Sequence, residues 1–499
     1  MYRKLLVTAA VVTAFIRVPA QQMNPIGAES QWKMIGAHCN DPLRYESNFF
    51  DRRQDVLYWS ENEAVIPVQF ETRSQGLVKV DNKARQLWEY RVSGRILGMA
   101  RMGGQILVLH SLDNLKDVTD FVKTVTAVLV DPGTGRKVKE ADILKFNGDS
   151  FHELVLHKDD QGNFQNLLVR QSAWEGGRMK MTRQVDQTNR VDVYALSAGL
   201  VAEKKKTIAG PADEGILVHS GVAPNGSLLL FWAGKEDFIL EQHKADGKMS
   251  RITQPLDWSD KLQPVVRLGF HPAQPSRVLA GLTYEKKDRK LRVLLYDLET
   301  GKVKTTEEVM DRAYRKEMEA TALAPGNRRA ELEKNRYTES RVAEVFFYGD
   351  QPVVVKESKG TITNPTSGSV RHYAGEIMIS AYNAELAAPR HYLFPKWHET
   401  FAGGNASHGF HLFGDQMHLV ANDFAAIATY GFRYAVLDLK AGQWKSMEFI
   451  REGTRQARSD NPIEAGATLW FPTGAVLHMM KKRMMDRDVT TFLRLVTLP

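Results

Sequence analysis

Residues 293–301 have the sequence VLLYDLETG, in which an apolar strand leads into a polar turn that ends in glycine. The same arrangement recurs as AVLVDPGTG at 127–135 and as AVLDLKAG at 435–442. An aspartate side chain accepts hydrogen bonds inside such a turn, and glycine supplies the positive φ that closes it. Each copy therefore predicts an antiparallel hairpin whose first strand is buried.

Looser copies of this pattern place further turns near Asp81, Ala198, Asp246 and Ala384. Most of the turns recur at intervals of about fifty residues, which is the spacing of a repeat architecture. A second kind of hairpin lies between them, around residues 103–104, 160–162, 224–226 and 414–415. Two hairpins per interval make a four-stranded antiparallel unit, the blade of a β-propeller. We therefore predict an all-β fold, a seven- or eight-bladed β-propeller with a helical insertion.

Two segments carry a resemblance to known propellers. Residues 220–230, SGVAPNGSLLL, resemble the inner hairpin common in propeller blades, and 268–272, LGFHP, resemble a degenerate copy of it. On these segments and on the spacing of the repeats, the chain resembles the exported β-propeller proteins of Gram-negative bacteria. The resemblance implies a fold and an exported location, and it implies no particular activity.

The alternative fold is a pair of β-sandwich domains. In a propeller the last unit, Thr468 to Leu498, has only three clear strands. An N-terminal strand often completes such a blade, because an open ring leaves strand edges unpaired. The segments Gln31 to Ile35 and Val56 to Trp59 are the candidates for this closing strand.

The N-terminus has the pattern of a secretory signal. Arg3 and Lys4 precede the apolar run Leu5 to Ile16, and residues 18–20 (VPA) predict cleavage after Ala20. The run is shorter than the roughly 20 apolar residues that a membrane span needs. We therefore predict a signal peptide at 1–20, a single propeller domain at 21–499, no transmembrane segment, and a periplasmic or extracellular location.

Charge and cysteine content exclude some functions. The net charge is +8, and removal of Arg3, Lys4 and Arg17 would leave 8 − 3 = +5 on a large surface. The short basic clusters at 204–206 and 481–483 are typical of solvated strand ends, so we predict no nucleic-acid partner. The single cysteine, Cys39, cannot form an internal disulfide and is expected to be an ordinary packed residue.

The repeat is interrupted between Thr305 and Arg341, where the sequence becomes charged and helical in pattern. Thr305 and Glu308 match a capping box, which predicts a helix running to about Leu323. Pro325 and Gly326 would end it, and a shorter second helix would follow from residue 327 to 334. This insertion is either a solvated decoration or a lid through which a partner docks.

The common catalytic signatures are absent from the sequence. It contains no G-x-S-x-G, H-E-x-x-H, C-x-x-C or Walker-type motif, and the acidic stretch at 157–163 lacks the glutamate of a calcium loop. Acids for glycoside hydrolysis could come from different blades, where Glu153, Asp257, Glu376 and Asp423 are individual candidates. No pair of them stands out. The dispersed tryptophans suit packing between blades better than a sugar platform.

The densest polar cluster runs from Trp397 to Asp423. A turn at 414–416 would pair Phe413 with Met417, placing His408 and His418 on one face, too far apart for one metal ion, and His411 on the other. We therefore predict no metal site and no cofactor. The candidate ligand-binding residues are a solvent-facing set at the propeller mouth, namely Trp397, His408, His418, Asn422 and Asp423.

Three functions remain open. The leading hypothesis is a non-enzymatic binding or scaffold protein for a protein, peptide or glycan ligand in the cell envelope or exterior. The alternative is a hydrolase that acts on glycans or peptides at the central channel. A further possibility is a structural subunit of an envelope assembly, docked through the insertion Thr305 to Arg341.

Overall fold

The protein is described by a computed structural model. The described residues are 23–24, 33–34, 56–71, 74–111, 124–146, 150–174, 185–211, 216–234, 236–258, 264–321, 340–363, 370–400, 408–426, 429–451, 468–482 and 490–496. The predicted signal peptide, Cys39 and the second helix of the insertion lie outside these ranges.

Strands that follow one another along the chain form antiparallel sheets, which we number as blades. Four blades fall in the first half of the chain. Blade 1 contains β2 (Lys33–Met34), β3 (Leu57–Ser60), β4 (Glu63–Glu71), β5 (Ser74–Asp81) and β6 (Gln86–Ser93); blade 2 contains β7 (Arg95–Met102), β8 (Gln105–Ser111), β9 (Thr124–Val130) and β10 (Lys137–Lys145); blade 3 contains β11 (Ser150–Lys158), β12 (Phe164–Trp174), β13 (Val185–Leu196) and β14 (Ala202–Ala209); blade 4 contains β15 (Ile216–Val222), β16 (Leu228–Ala233), β17 (Asp237–His243) and β18 (Met249–Pro255).

The second half of the chain repeats the arrangement and adds one helix. Blade 5 contains β19 (Val265–Phe270), β20 (Arg277–Glu285), β21 (Arg289–Asp297) and β22 (Lys302–Val309), and α1 (Arg312–Glu319) follows it; blade 6 contains β23 (Ser340–Tyr348), β24 (Gln351–Thr363), β25 (Val370–Ala381), β26 (Arg390–Phe394) and β27 (His398–Thr400); blade 7 contains β28 (His408–Phe413), β29 (Gln416–Ala426), β30 (Thr429–Asp438) and β31 (Gln443–Arg451); blade 8 contains β32 (Leu469–Trp470), β33 (Val476–Lys482), β34 (Thr490–Val496) and β1 (Met23–Asn24).

Neighbouring blades share their buried apolar side chains. Each seam along the chain, from blades 1 and 2 to blades 7 and 8, contains one apolar cluster with residues from both sheets. Another cluster joins Leu469, Phe471 and Leu477 of blade 8 to Ile66 and Val78 of blade 1. The sheets therefore form a closed ring, which confirms the predicted all-β propeller and excludes two separate sandwiches. The described residues form eight sheets, the larger of the two blade numbers predicted.

The repeated turns occupy equivalent places in this ring. The aspartate-containing or looser turns at 81, 131, 198, 246, 297, 384 and 438 all join the third and fourth strands of a blade. Asp131 Oδ1 accepts the backbone N–H groups of Gly133 and Thr134 at 3.1 and 2.7 Å. The other predicted hairpins join the first and second strands. Turn chemistry thus identified both hairpins of the repeat.

The ring is closed by a strand other than those predicted. Met23 pairs with Arg494 and Asn24 with Leu493, so β1 is the outer strand of blade 8. Lys33–Met34 and Leu57–Ser60, which overlap the two predicted closing segments, instead pair with β4 in blade 1. A strand two residues long carries almost no periodic signal, which explains why the sequence pattern missed it.

The described helix begins later than predicted. Thr305 and Glu308 belong to β22, where they pair with Leu294 and Leu291 of β21. The N-cap is Asp311, whose side chain accepts the N–H groups of Ala313 and Tyr314. The capping-box assignment was wrong because these two residues pair with β21 as part of a strand. No helix in the described part of the chain is long and apolar enough to span a membrane.

Candidate functional site

The two ends of the ring carry different connections. Because the strands are antiparallel and follow chain order, turns between first and second, and between third and fourth strands, lie at one end. We call this end the turn face; it carries short connections such as 61–62, 103–104 and 414–415. At the opposite end, which we call the loop-bearing face, lie the strand ends that flank the longest connections, such as Ser111 and Thr124, Trp174 and Val185, and Arg451 and Leu469. Binding residues concentrate on such loops when a rigid scaffold supports them.

A network of buried charges lies toward the loop-bearing face, in the seam between blades 6 and 7. Lys396 follows β26, and its ammonium donates to Glu357 Oε1 at 2.7 Å. His408 begins β28, and its Nδ1 lies 2.9 Å from Glu357 Oε2. The side chains of Lys396 and Glu357 are 0% and 1% exposed. Such a pair persists in an apolar interior because each charge compensates the other. The contact of His408 with Glu357 joins the pair in blade 6 to blade 7.

A second ionic contact holds the same stretch of chain. The backbone N–H of Trp397 donates to Asp423 Oδ1 at 2.9 Å. Arg433 donates to Asp423 Oδ2 through Nε at 2.9 Å and lies 2.8 Å away through Nη2. Lys396 is therefore bonded to blade 6, through Glu357, and Trp397 to blade 7, through Asp423. The start of the connection after β26 is therefore held by hydrogen bonds to both blades at the loop-bearing end of the ring.

Two histidines near this network, His398 and His418, are neutral at pH 7. Burial, followed by repulsion from Lys396, lowers the pKa of His398 from 6.5 to about 3. Burial, followed by repulsion from Lys445, lowers the pKa of His418 to about 4. His418 Nδ1 is hydrogen-bonded to the Tyr434 hydroxyl. A neutral imidazole can bind a metal ion, but the described residues contain no group of three or more suitable ligands.

The register of the β28–β29 hairpin differs by one residue from the prediction. Phe413 pairs with Gln416 across the two-residue turn 414–415, and His411 therefore lies directly opposite His418. The predicted pairing of Phe413 with Met417 was wrong because it assumed a three-residue turn. A shift of one residue moves side chains to the other face of a strand. His411 consequently stacks on Trp470 of blade 8, with ring centroids 5.9 Å apart.

The five predicted ligand-binding residues divide between two seams. Trp397, His408 and Asp423 lie between blades 6 and 7. His418 and Asn422 lie an even number of residues apart on β29, on the same face as Val420, which packs against blade 8. Trp397, His418, Asn422 and Asp423 are all buried rather than solvent-facing. Their predicted role in ligand binding stays a prediction.

The acids considered for hydrolysis lie in different parts of the ring. Asp257 follows blade 4 and is ion-paired with Lys286 at 2.6 Å on the surface. Glu376 is buried in blade 6, and Asp423 in blade 7 is paired with Arg433. The Glu153 side chain lies outside the described part of the structure. Asp257 and Asp423 are therefore each paired with a basic side chain of the propeller.

Sequence analysis missed three members of the buried network, Glu357, Lys396 and Arg433. One signal was available, since residues 353–358 have the sequence VVVKES and place two charges in an apolar strand. Charges in such a strand indicate buried partners. The partners themselves come from other strands and other blades, so spacing along the chain could not identify them.

The chain matches no known protein family profile and no curated protein sequence. It is similar in structure to the WD40 domain of SCAP from fission yeast, at 10% identity and a TM-score of 0.40, over 89% of this chain and 96% of that one. It is also similar to a putative 6-phosphogluconolactonase from Bacteroides uniformis, at 12% identity and a TM-score of 0.37, over 80% of this chain and 100% of that one.

A puromycin-hydrolyzing peptidase from Mycobacterium tuberculosis is a third similar structure, at 9% identity and a TM-score of 0.36. The match covers 92% of this chain and 61% of the peptidase. These similarities assign no activity to the chain. The fold assignment rests on the strand order and on the apolar clusters shared around the ring, and it is a β-propeller of antiparallel blades.

Proposed function

We propose that this chain is an exported, non-enzymatic binding protein of the cell envelope or exterior, whose protein, peptide or glycan ligand docks on the loop-bearing face. The main support is the unequal distribution of connections between the two ends of the ring. A ring of packed blades holds the bases of its loops in fixed positions, which lowers the entropic cost of binding.

The buried charges beneath that face support a structural role rather than a chemical one. Glu357 is engaged by Lys396 and His408, and Asp423 is engaged by Arg433 and the Trp397 N–H. A catalytic acid needs access to substrate and a pKa suited to proton transfer. These carboxylates instead hold Lys396 and Trp397, in the stretch of chain that follows β26.

Export is the second part of the proposal. Cleavage after Ala20 would retain Met23–Asn24, the strand that completes blade 8, so the proposed maturation is compatible with a closed ring. The test is the intact mass and N-terminal sequence of protein from separated cell fractions. We expect a chain that starts at Gln21 outside the cytoplasm. A full-length chain confined to the cytoplasm would contradict export.

Ligand binding is tested by affinity capture from a native envelope extract with loop variants. Segments 112–123, 175–184 and 452–468 are replaced one at a time by Gly-Ser linkers of equal length. The matched control carries Lys83→Glu and Glu299→Lys on the turn face, where both residues are exposed. We expect the captured ligand to be lost with at least one loop variant and retained by the control.

Two results would contradict this function. Capture that is identical for all three loop variants would show that the loop-bearing face is not the binding surface. Turnover of envelope glycans or peptides by the purified protein, lost when Asp423 is replaced by Asn, would favour the hydrolase alternative. Circular dichroism of each variant checks that its β-structure is retained.

A further inference from the structure

The helix α1 packs its buried side onto blade 6 of the propeller. Met318 is fully buried against Met378 and Leu393 of blade 6. Tyr314, one turn earlier, directs its ring to the same blade, 5.4 Å from the ring of His391. The described side chains on the rest of the helix, at 312, 313, 316, 317 and 319, are exposed. Glu317 Oε1 adds an ionic contact, 3.9 Å from His391 Nε2. An isolated helix this short is unstable in water, so α1 depends on its contacts with the propeller.

Tyr314 enters a polar pocket built by the strands. Its hydroxyl accepts a hydrogen bond from the ammonium of Lys356, which is 0% exposed in β24. That ammonium also lies 4.8 Å from the centre of the Tyr314 ring. Lys356 donates a second hydrogen bond to Ser380 Oγ at 2.7 Å. The pocket therefore recognises both features of the tyrosine side chain, the hydroxyl and the aromatic ring.

The remaining pocket residues are bonded to side chains of the strands as well as to α1. Ser380 Oγ lies 2.9 Å from His391 Nδ1, across the β25–β26 pair. Glu308 of blade 5 accepts from the Tyr382 hydroxyl and lies 3.5 Å from Lys356 Nζ. The Glu308 carboxylate thus faces the Lys356 ammonium and compensates its charge inside the pocket. Rigid strands thus form the pocket, and a short helix supplies its occupant.

The edge of blade 6 offers a backbone contact beside the pocket. The N–H of Leu393 in β26 donates to Thr321 Oγ1 at 3.0 Å, just beyond the end of α1. A side-chain hydroxyl covering an edge N–H can be replaced by the carbonyl of an incoming extended segment. Displacement of α1 and Thr321 would therefore free an edge N–H next to the tyrosine pocket.

We propose that this pocket is a recognition site for a tyrosine side chain on an extended segment of a partner polypeptide, and that α1 is its internal competitor. The inference rests on the proposed binding function, to which it adds a class of partner. Tyr314 shows that the pocket accepts a phenol. A phenylalanine would leave the buried Lys356 ammonium without one of its hydrogen bonds, so the site discriminates against it.

The competition has a measurable consequence. A site that is occupied by an internal group binds an external ligand with an apparent Kd equal to the intrinsic Kd divided by the fraction of protein in the open state. Tyr314→Ala vacates the pocket and should therefore bind the ligand more tightly than the wild type does. In the wild type, bound ligand should displace α1, unfold it, and so make the chain easier for trypsin to cut at Arg312 and Lys316.

The test uses the full mature chain and a short synthetic peptide with one tyrosine flanked by Gly and Ser. The matched peptide has phenylalanine in place of the tyrosine. Calorimetry measures both peptides against the wild type, Tyr314→Ala, and the double variant Tyr314→Ala/Lys356→Met. Tyr348→Ala, which removes a tyrosine at the turn face, is the control protein.

We expect Tyr314→Ala to prefer the tyrosine peptide by about tenfold, as one net hydrogen bond to a charged donor predicts. We expect Lys356→Met to abolish this preference, and Tyr348→Ala to bind as the wild type does. Equal affinity of Tyr314→Ala for the two peptides, or no binding by a folded variant, would overturn the inference. If Tyr314→Ala fails to fold, peptide-accelerated cleavage of wild-type α1 remains the deciding measurement, and unchanged cleavage would overturn the inference.

Failure of this inference is distinguishable from failure of the proposed function. Loss of captured ligand from the loop variants, without tyrosine-peptide binding, would leave the binding function standing and remove only the tyrosine pocket. Tyrosine-peptide binding without any loop-dependent capture would retain the pocket and contradict the assignment of the loop-bearing face.

Discussion

At the scale of single residues, the seams between blades are specified by buried polar groups as well as by apolar packing. Asp423 joins Arg433 of its own blade to the main chain of Trp397 in the connection from blade 6. Removal of the Asp423 carboxylate would take away the acceptor of both buried donors. Such a residue contributes more to stability than a surface acid with an equally short ion pair.

Replacement of Asp423 by Ala should lower the free energy of unfolding by about 3–5 kcal/mol, because it leaves the Arg433 charge and the Trp397 N–H without an acceptor. Urea denaturation followed by tryptophan fluorescence measures the change. Asp257→Ala is the matched control, since Asp257 pairs with Lys286 at the surface, and it should have little effect. Equal losses in the two variants would contradict the structural role of the buried pair.

A second residue-scale prediction concerns pH. Burial lowers the pKa of His157 from 6.5 to about 4, while the hydrogen bond to Asn166 opposes this shift. Below pH 6.5 the unfolded chain therefore binds a proton that folded His157 does not, and stability falls as pH falls toward 4. His398 and His418, with pKa values of about 3 and about 4, contribute in the same direction.

Unfolding free energies at pH 6.5, 5.75 and 5.0 measure this slope, above the range in which carboxylates with a lowered pKa become protonated. His157→Gln keeps an amide in place of the ring and should reduce the slope, by at most about 1.4 kcal/mol per pH unit. A measurement at pH 7.5, where His157 is neutral in both the folded and the unfolded chain, distinguishes a general loss of stability in the variant from a change in the pH dependence. An unchanged slope would mean that His157 is protonated in the folded protein.

At the scale of elements, local chemistry predicted turns better than it predicted boundaries. Aspartate and glycine identified both hairpins of the repeat because their turn preferences act over a few residues. Thr305 and Glu308 matched a helix start, yet they extend β22 because β21 offers a partner strand. The predicted register of the hairpin at 414–415 was wrong by one residue for a related reason. The length of a turn depends on how its two strands pair, and composition alone does not determine it.

The N-cap provides a test of this correction. Asp311→Ala removes the acceptor for two N–H groups of α1 and should weaken the helix by about 1 kcal/mol. Limited trypsin digestion should then cut faster at Arg312 and Lys316, while the thermal midpoint of the ring stays nearly constant. Thr305→Ala is the control and should leave the cleavage rate unchanged. Faster cleavage in Thr305→Ala instead would restore the capping box predicted from the sequence.

At the scale of the whole molecule, the repeat predicted the fold, whereas the site required coordinates. Fifty-residue spacing was enough to indicate a propeller because every blade must bury its faces against two neighbours. The partners of Glu357 and Asp423 were not predictable, because they come from other strands or from the neighbouring blade and meet these carboxylates only in the folded ring. Closure by an N-terminal strand was predicted, but Met23–Asn24 was missed as that strand because two residues carry almost no periodic signal.

The central claim is that the sheets form one ring closed by the N-terminal strand, and paired cysteines test it directly. Met23 and Arg494 are Cα partners across β1 and β34, so Met23→Cys/Arg494→Cys in a Cys39→Ser background places two thiols within reach of each other. Mild oxidation followed by peptide mass spectrometry should show a 23–494 disulfide in nearly every monomer, and a raised thermal midpoint. Thiols that stay free in the folded monomer, or that link only between chains, would contradict the closed ring.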